Sequence, residues 1–286
     1  MIGSGRIRKV SLGAGVAAIV GACLVAGAIG AGVRQLRGPQ ATYVYPLDVC
    51  VVTGESLAEK KKPQVRKVDG REVRLCCGNC SSAFRKDPEK WWPKVDAAII
   101  EAHRVHYPLT NCVVGGGPLG SMGEPVDHVV NNRLVRLCCA HCIGKIDSKS
   151  EAYFAKMDTD IADMQRAGYP SDACVIDGTP LPEGDKAVEV ILANRLFRLC
   201  GEGCKKKLEE RPWEAMAALD AAYAAKQRAD YPMTTCVVDD VELPASGRVE
   251  VVAGDTLVEV CGDRCAAELR LHPERYVPKV REARKN

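Results

Sequence analysis

The chain has 286 residues, with 40 Lys and Arg against 37 Asp and Glu and a formal net charge of +3. So small an excess argues against a protein that coats nucleic acid, which needs a strong basic surplus or patch. Eight Tyr, three Trp and three Phe are too few for one large core, whereas 15 cysteines must serve as metal ligands, disulfides or redox centres.

Residues 1–9 are basic through Arg6, Arg8 and Lys9, and residues 10–33 carry no charge. A helix of about 20 residues crosses a bilayer. The expectation is therefore a single-pass membrane anchor over residues 10–33. The positive-inside rule puts residues 1–9 in the cytoplasm and the rest of the chain outside it, in the periplasm. Arg34 and Arg37 weigh against that orientation. Two rival readings of the segment exist. Ala26-Gly27-Ala28 reads as a signal-peptide cleavage site, and Val20-Gly21-Ala22-Cys23 resembles a lipoprotein box. Residues 34–44, with Gly38, Pro39 and Gln40, read as a linker.

The remainder repeats four times. Tyr45-Pro46, Tyr107-Pro108, Tyr169-Pro170 and Tyr231-Pro232 recur at intervals of 62 residues. Five residues after each Tyr stands a cysteine: Cys50, Cys112, Cys174 and Cys236. A leucine follows at Leu57, Leu119, Leu181 and Leu243, and a C-x-x-x-C pair closes each core. Those pairs are Cys76 and Cys80, Cys138 and Cys142, Cys200 and Cys204, Cys261 and Cys265. The first three copies align without a gap, and the fourth lacks one residue before Cys261. This register defines a tandem array. Its modules are 45–106, 107–168, 169–230 and 231–286.

Each module reads as α+β. The first Cys sits on an extended segment after Tyr-Pro. Two short apolar strands follow around a turn, at Asp69-Gly70, Asn131-Asn132 and Gly254-Asp255 in copies one, two and four. A helix begins near the cysteine pair, with Phe84, Ile146, Leu208 and Leu269 four residues beyond the last Cys. Pro88, Pro212 and Pro273 break or restart it. A longer amphipathic helix then follows, cut short by the C-terminus in copy four. Trp91 and Trp92 read as local core beneath that helix.

The hairpin brings the lone Cys back to the pair, so three thiolates converge. Soft thiolates select Zn(II), Cu(I) and similar ions. The second Cys of each pair falls in the first helical turn, which should lower its pKa. A fourth donor varies. The residue after the first Cys of the pair is Cys77, Cys139, Gly201 or Gly262, and the position three after the lone Cys is Thr53, Gly115, Asp177 or Asp239. Structural zinc sites close at four ligands. Copies one and two would therefore offer four thiolates through Cys77 and Cys139. Copies three and four would offer three thiolates plus Asp177 or Asp239. Turn roles for the two aspartates compete with that reading.

These features resemble the TRASH and YHS family of small cysteine-containing modules. The likeness is carried by the lone Cys before Val-Val, the C-x-x-x-C after an apolar strand, and the tail Phe84…Asp87-Pro88…Trp91, repeated as Leu269…His272-Pro273…Tyr276. It implies a treble-clef-like fold in each module and heavy-metal sensing, trafficking or resistance. It also implies Cys50, Cys76 and Cys80, and their three equivalent sets, as ligands of zinc or another soft ion such as Cu(I).

Two other classes compete. A disulfide-stapled repeat suits an oxidising compartment, but three cysteines in copies three and four cannot all pair within a copy. A thiol oxidoreductase would use the C-x-x-C of Cys77-Gly78-Asn79-Cys80 and Cys139-Ala140-His141-Cys142, outside the βαβ context such motifs normally have. No phosphate loop or Ser-His-Asp set has repeat support, so no enzyme is expected. The expected partners are metal ions and, through residues 10–33, a membrane, with no nucleic acid.

Overall fold

Four tight turns organise the chain. In the computed structural model, which describes residues 38–285, each turn joins an antiparallel pair of five-residue strands. The pairs are β2 (Gln64–Val68) with β3 (Arg71–Leu75), β4 (Val126–Val130) with β5 (Arg133–Leu137), β6 (Val188–Leu192) with β7 (Arg195–Leu199), and β8 (Val249–Ala253) with β9 (Thr256–Val260). Two-residue hairpins match strand twist when their central residues take positive φ. Asp69 and Gly70 do so at 50° and 82°, Asn131 and Asn132 at 50° and 63°, and Gly254 at 65°. The third turn is Ala193-Asn194, at 47° and 65°. No turn dipeptide marks it in the sequence; Asn194 is tied to Arg133 and to the Leu134 carbonyl of the preceding module.

A helix follows each hairpin: α1 (Gly78–Lys86), α3 (Ile143–Ser148), α5 (Glu202–Glu210) and α7 (Asp263–Leu271). A second helix then runs back over the module: α2 (Pro88–His103), α4 (Ser150–Arg166), α6 (Pro212–Arg228) and α8 (Pro273–Ala283). Proline opens α2, α6 and α8, where its missing N–H costs nothing. Trp92 packs edge-on against Phe84 at 4.9 Å.

A 62-residue module is of marginal size for an independent core, and the modules share cores. Modules 2 and 3 have one in common, including Phe154, Ile161, Phe197 and Leu219. Trp213 of module 3 joins Tyr45, Phe84 and Ile99 of module 1. Val105 of module 1 joins the core of module 4. Residues 40–42, within the stretch read as a linker, form β1 (Gln40–Thr42), which runs parallel to β6 with Gln40 opposite Val190.

A polar joint recurs between successive modules. The Arg that opens the second strand pairs with an Asp on the long helix of its own module: Arg71 with Asp96, Arg133 with Asp158 and Arg195 with Asp220, each at 2.6 Å. That Arg also reaches the turn of the next module. Arg71 donates to Asn132 Oδ1 (3.2 Å), Arg133 to Asn194 Oδ1 (2.6 Å) and Arg195 to the Gly254 carbonyl (3.3 Å). The two asparagines return the contact, donating to the carbonyls of Glu72 and Leu134 at 2.8 Å. The joint's residues are not in every module: module 1 has Gly70 in place of Asn, and module 4 has Thr256 in place of Arg. Asn194→Ala should cost about 2–3 kcal/mol in chemical denaturation, since it orphans buried groups on both modules and removes a residue suited to left-handed backbone.

The long helices add a second clasp. Gln165 donates to the Asn194 carbonyl (3.3 Å) and accepts from Leu196 N–H (2.7 Å), and Gln227 does the same with Asp255 (2.7 Å) and Leu257 (3.0 Å). In module 1 this position is His103, which is buried with neither ring nitrogen partnered. Burial, and then the charge of Arg195, pull its pKa down to about 4, so the ring is neutral at neutral pH. His103→Gln should raise stability by about 1 kcal/mol by completing the clasp, and an unchanged midpoint in urea would refute this.

The membrane expectation is corrected here. Among the described residues no helix is long and apolar enough to cross a membrane, and the longest, α4 and α6, have 17 residues each. Residues 1–9 and 10–33, on which the single-pass periplasmic placement rested, lie outside the described residues.

Candidate metal centres

The lone cysteine of each module opens a short loop with a constant hydrogen-bond pattern. Its N–H donates five residues ahead: Cys50 to Glu55, Cys112 to Gly117, Cys174 to Thr179 and Cys236 to Val241, at 2.7–2.9 Å. Its carbonyl accepts from the residue four ahead, Gly54, Gly116, Gly178 or Asp240. Those residues have φ of 75°, 75°, 75° and 57°, which explains glycine in three copies. In two modules the tyrosine of Tyr-Pro ties this loop to the hairpin: Tyr169 Oη accepts from Arg198 N–H and Tyr231 Oη from Glu259 N–H, both at 3.0 Å.

The loop, the end of the second strand and the following helix bring thiols together four times. One ligand atom from each member lies within 4.8 Å of the others in the groups Cys50–Cys76–Cys80, Cys112–Cys138–Cys142, Cys174–Asp177–Cys200–Cys204 and Cys236–Cys261–Cys265. The strand-end and helical sulfurs stand 3.5, 3.8, 3.5 and 3.4 Å apart in modules 1 to 4. A tetrahedral ion with metal–sulfur bonds of about 2.3 Å needs edges of about 3.8 Å, so the donor sets fit a thiolate-bound metal. The described cysteines are all free thiols, and the disulfide reading has no bridge to rest on among them.

The expected fourth donors divide. Asp177 enters its group, with Oδ2 accepting from Cys204 at 3.0 Å and Oδ1 from Thr179 N–H at 3.1 Å. The Cys204 contact, then the Thr179 N–H, hold this carboxyl well below the usual carboxylate range. Asp239 reaches Cys265 at 3.0 Å and Cys261 at 3.8 Å, but Arg264 pairs with it and it is not among the atoms that converge. Cys77 and Cys139 also stay outside the groups, at 3.5 Å from Cys80 and 4.0 Å from Cys142. Asp177 also makes the Asx turn of the competing reading, through the Thr179 N–H.

Thr53 is the site residue that sequence reasoning did not single out as a donor. Its Oγ1 lies 3.4 Å from Cys76 Sγ. Its alignment with Asp177 was the signal available.

The order of thiol acidities reverses the expectation. The helical cysteines, Cys80, Cys142, Cys204 and Cys265, are pushed up, Cys142 to about 12. Burial is the largest cause, followed by contact with neighbouring thiols or, at Cys204 and Cys265, first with the carboxylate. The lone cysteines Cys50, Cys112 and Cys236 go the other way. Burial raises each, but converging backbone N–H groups outweigh it; for Cys50 these come from Cys76, Thr53 and Val52, aided by the Thr53 hydroxyl. The helix start does lower a thiol, at the residue just before it. Cys77 and Cys139 stand at the N-cap position, and the N–H groups of Cys80 and His141 respectively depress them. Free N–H groups point at the N-cap side chain, whereas a buried residue within the first turn gains little from them.

Compared with models of known protein families, with curated proteins and with solved structures, the chain matches none. The likeness to TRASH and YHS modules therefore rests on the chain's own residues, and what those residues establish is a cysteine-rich α+β array with four groups that could hold a metal ion.

Proposed function

We propose that this chain is a soft-metal-binding protein, each module taking one ion of the Zn(II) or Cu(I) class through cysteine thiolates, in metal trafficking, storage or resistance. The observation that carries the reading is the recurrence of one three-thiol group in four modules, with sulfur separations near those of a metal-bound tetrahedron. Chance packing of cysteines has no reason to reproduce it. Binding rather than catalysis is the proposed role, since each site is built of ligand-type donors.

Cobalt(II) titration of the reduced, metal-free chain tests this. Thiolate-to-cobalt charge-transfer absorption should grow to saturation, at no more than one equivalent for each of the four groups. Absence of that absorption would refute the proposal.

A further inference from the structure

Among the residues that face the three grouped thiols, the four modules differ at the position three after the lone cysteine; the variable residue after the strand-end cysteine, Cys77 or Cys139 in modules 1 and 2, stays outside the groups. Its side chain faces the thiols. Asp177 and Asp239 put Oδ2 3.0 Å from Cys204 and Cys265, and Thr53 puts Oγ1 3.4 Å from Cys76. In module 2 the residue is Gly115. A Cβ there would lie 3.1 Å from Cys138 Sγ, 3.7 Å from Cys112 Sγ and 3.8 Å from Cys142 Sγ, over the face of the thiol triangle. The backbone does not demand glycine, because φ at Gly115 is not positive. What glycine provides is a site without a fourth side chain from the loop. The main chain closes over the thiols instead, with Gly115 N–H donating to Cys112 Sγ at 3.3 Å. Module 2 is also the group whose three cysteines are all buried; in the others the strand-end cysteine is partly exposed. Its strand-end and helical sulfurs stand 3.8 Å apart, against 3.4–3.5 Å for that pair in the other modules.

We propose that module 2 is a three-thiolate site for a monovalent soft cation, Cu(I) or its congener Ag(I), while module 3 is built for a divalent ion of the zinc class. The inference rests on the metal-binding reading above and assigns ions within it. Zinc sites close at four ligands, whereas soft monovalent ions accept three thiolates. Charge points the same way. Fully deprotonated, the module 3 donors carry one more negative charge than those of module 2, through Asp177. A divalent ion in module 3 and a monovalent ion in module 2 leave the same net charge in the two sites. Each bound thiol gives its proton to solvent, and no electron moves.

The test uses the reduced full chain, dialysed against Zn(II) and Cu(I), each buffered by a chelator, with both metals counted per chain by mass spectrometry. Gly115→Asp should exchange one copper for one zinc, its site losing copper affinity about ten-fold or more. Asp177→Gly, which adds no bulk, should shift one equivalent the opposite way. Cys139→Ser should leave the ratio unchanged. Unaltered ratios in the Gly115 and Asp177 variants would overturn the assignment. So would loss of the copper equivalent in Cys139→Ser, which would make module 2 a four-thiolate site. A wild-type chain that takes up neither metal would refute the metal-binding reading itself.

Discussion

Lowering the pH from about 8 to 6 should weaken metal binding at each module by about 10,000-fold. In modules 1 to 4 the paired cysteines, Cys76 and Cys80, Cys138 and Cys142, Cys200 and Cys204, Cys261 and Cys265, all have thiol pKa values raised above the ordinary cysteine value. A raised thiol keeps its proton at neutrality, and an incoming ion must displace it. Two displaced protons make affinity fall about 100-fold per unit drop in pH. The same dependence continues upward through neutral pH until the thiols ionise unaided, which for Cys142 is about pH 12. Competition against a chelator of known pH behaviour measures the slope, and an indicator dye counts the protons released. A flat profile would mean that the ion binds through groups other than these pairs.

Cys204→Ser should remove one ion per chain and destabilise the metal-loaded protein by at least about 3 kcal/mol, part of the folding free energy that a structural ion of this kind supplies. Cys204 is buried and contacts both Cys200 Sγ and Asp177 Oδ2, so serine removes the sulfur at the centre of the group. In chelator, where both proteins are metal-free, the difference should shrink to under about 1 kcal/mol, because serine nearly matches cysteine in size. The loss should spread beyond module 3, whose core is continuous with that of module 2. Calorimetry with and without metal distinguishes the two contributions. Equal destabilisation in both conditions would make Cys204 a packing residue.

The array and its thiol groups were legible in the sequence because both rest on exact spacing. A period of 62 residues fixes equivalent places in equivalent folds, and a lone Cys, a hairpin and C-x-x-x-C suffice to bring three sulfurs together. Turns at Asp69-Gly70, Asn131-Asn132 and Gly254-Asp255 carry their own signal. Ala193-Asn194 does not, since its conformation depends on Arg133 and Leu134 of the preceding module. The same limit hid β1, whose partner β6 lies some 150 residues away, and the inter-module joints of Arg71, Arg133 and Arg195. Thiol acidity was misjudged because it depends on which sulfur the N–H groups reach, and the N-cap and loop cysteines receive them. Asp239 matches Asp177 in register, but its place in the site depends on Arg264, a residue without an Arg in the other copies.

The most direct test is to purify the full chain under conditions that keep its thiols reduced, then count bound metal and reactive thiols on the same sample. About four soft metal ions per chain are expected, matching the four groups, with the grouped cysteines alkylated only after chelation. A chain that carries no metal, takes none up and has all its thiols open to alkylation would contradict it.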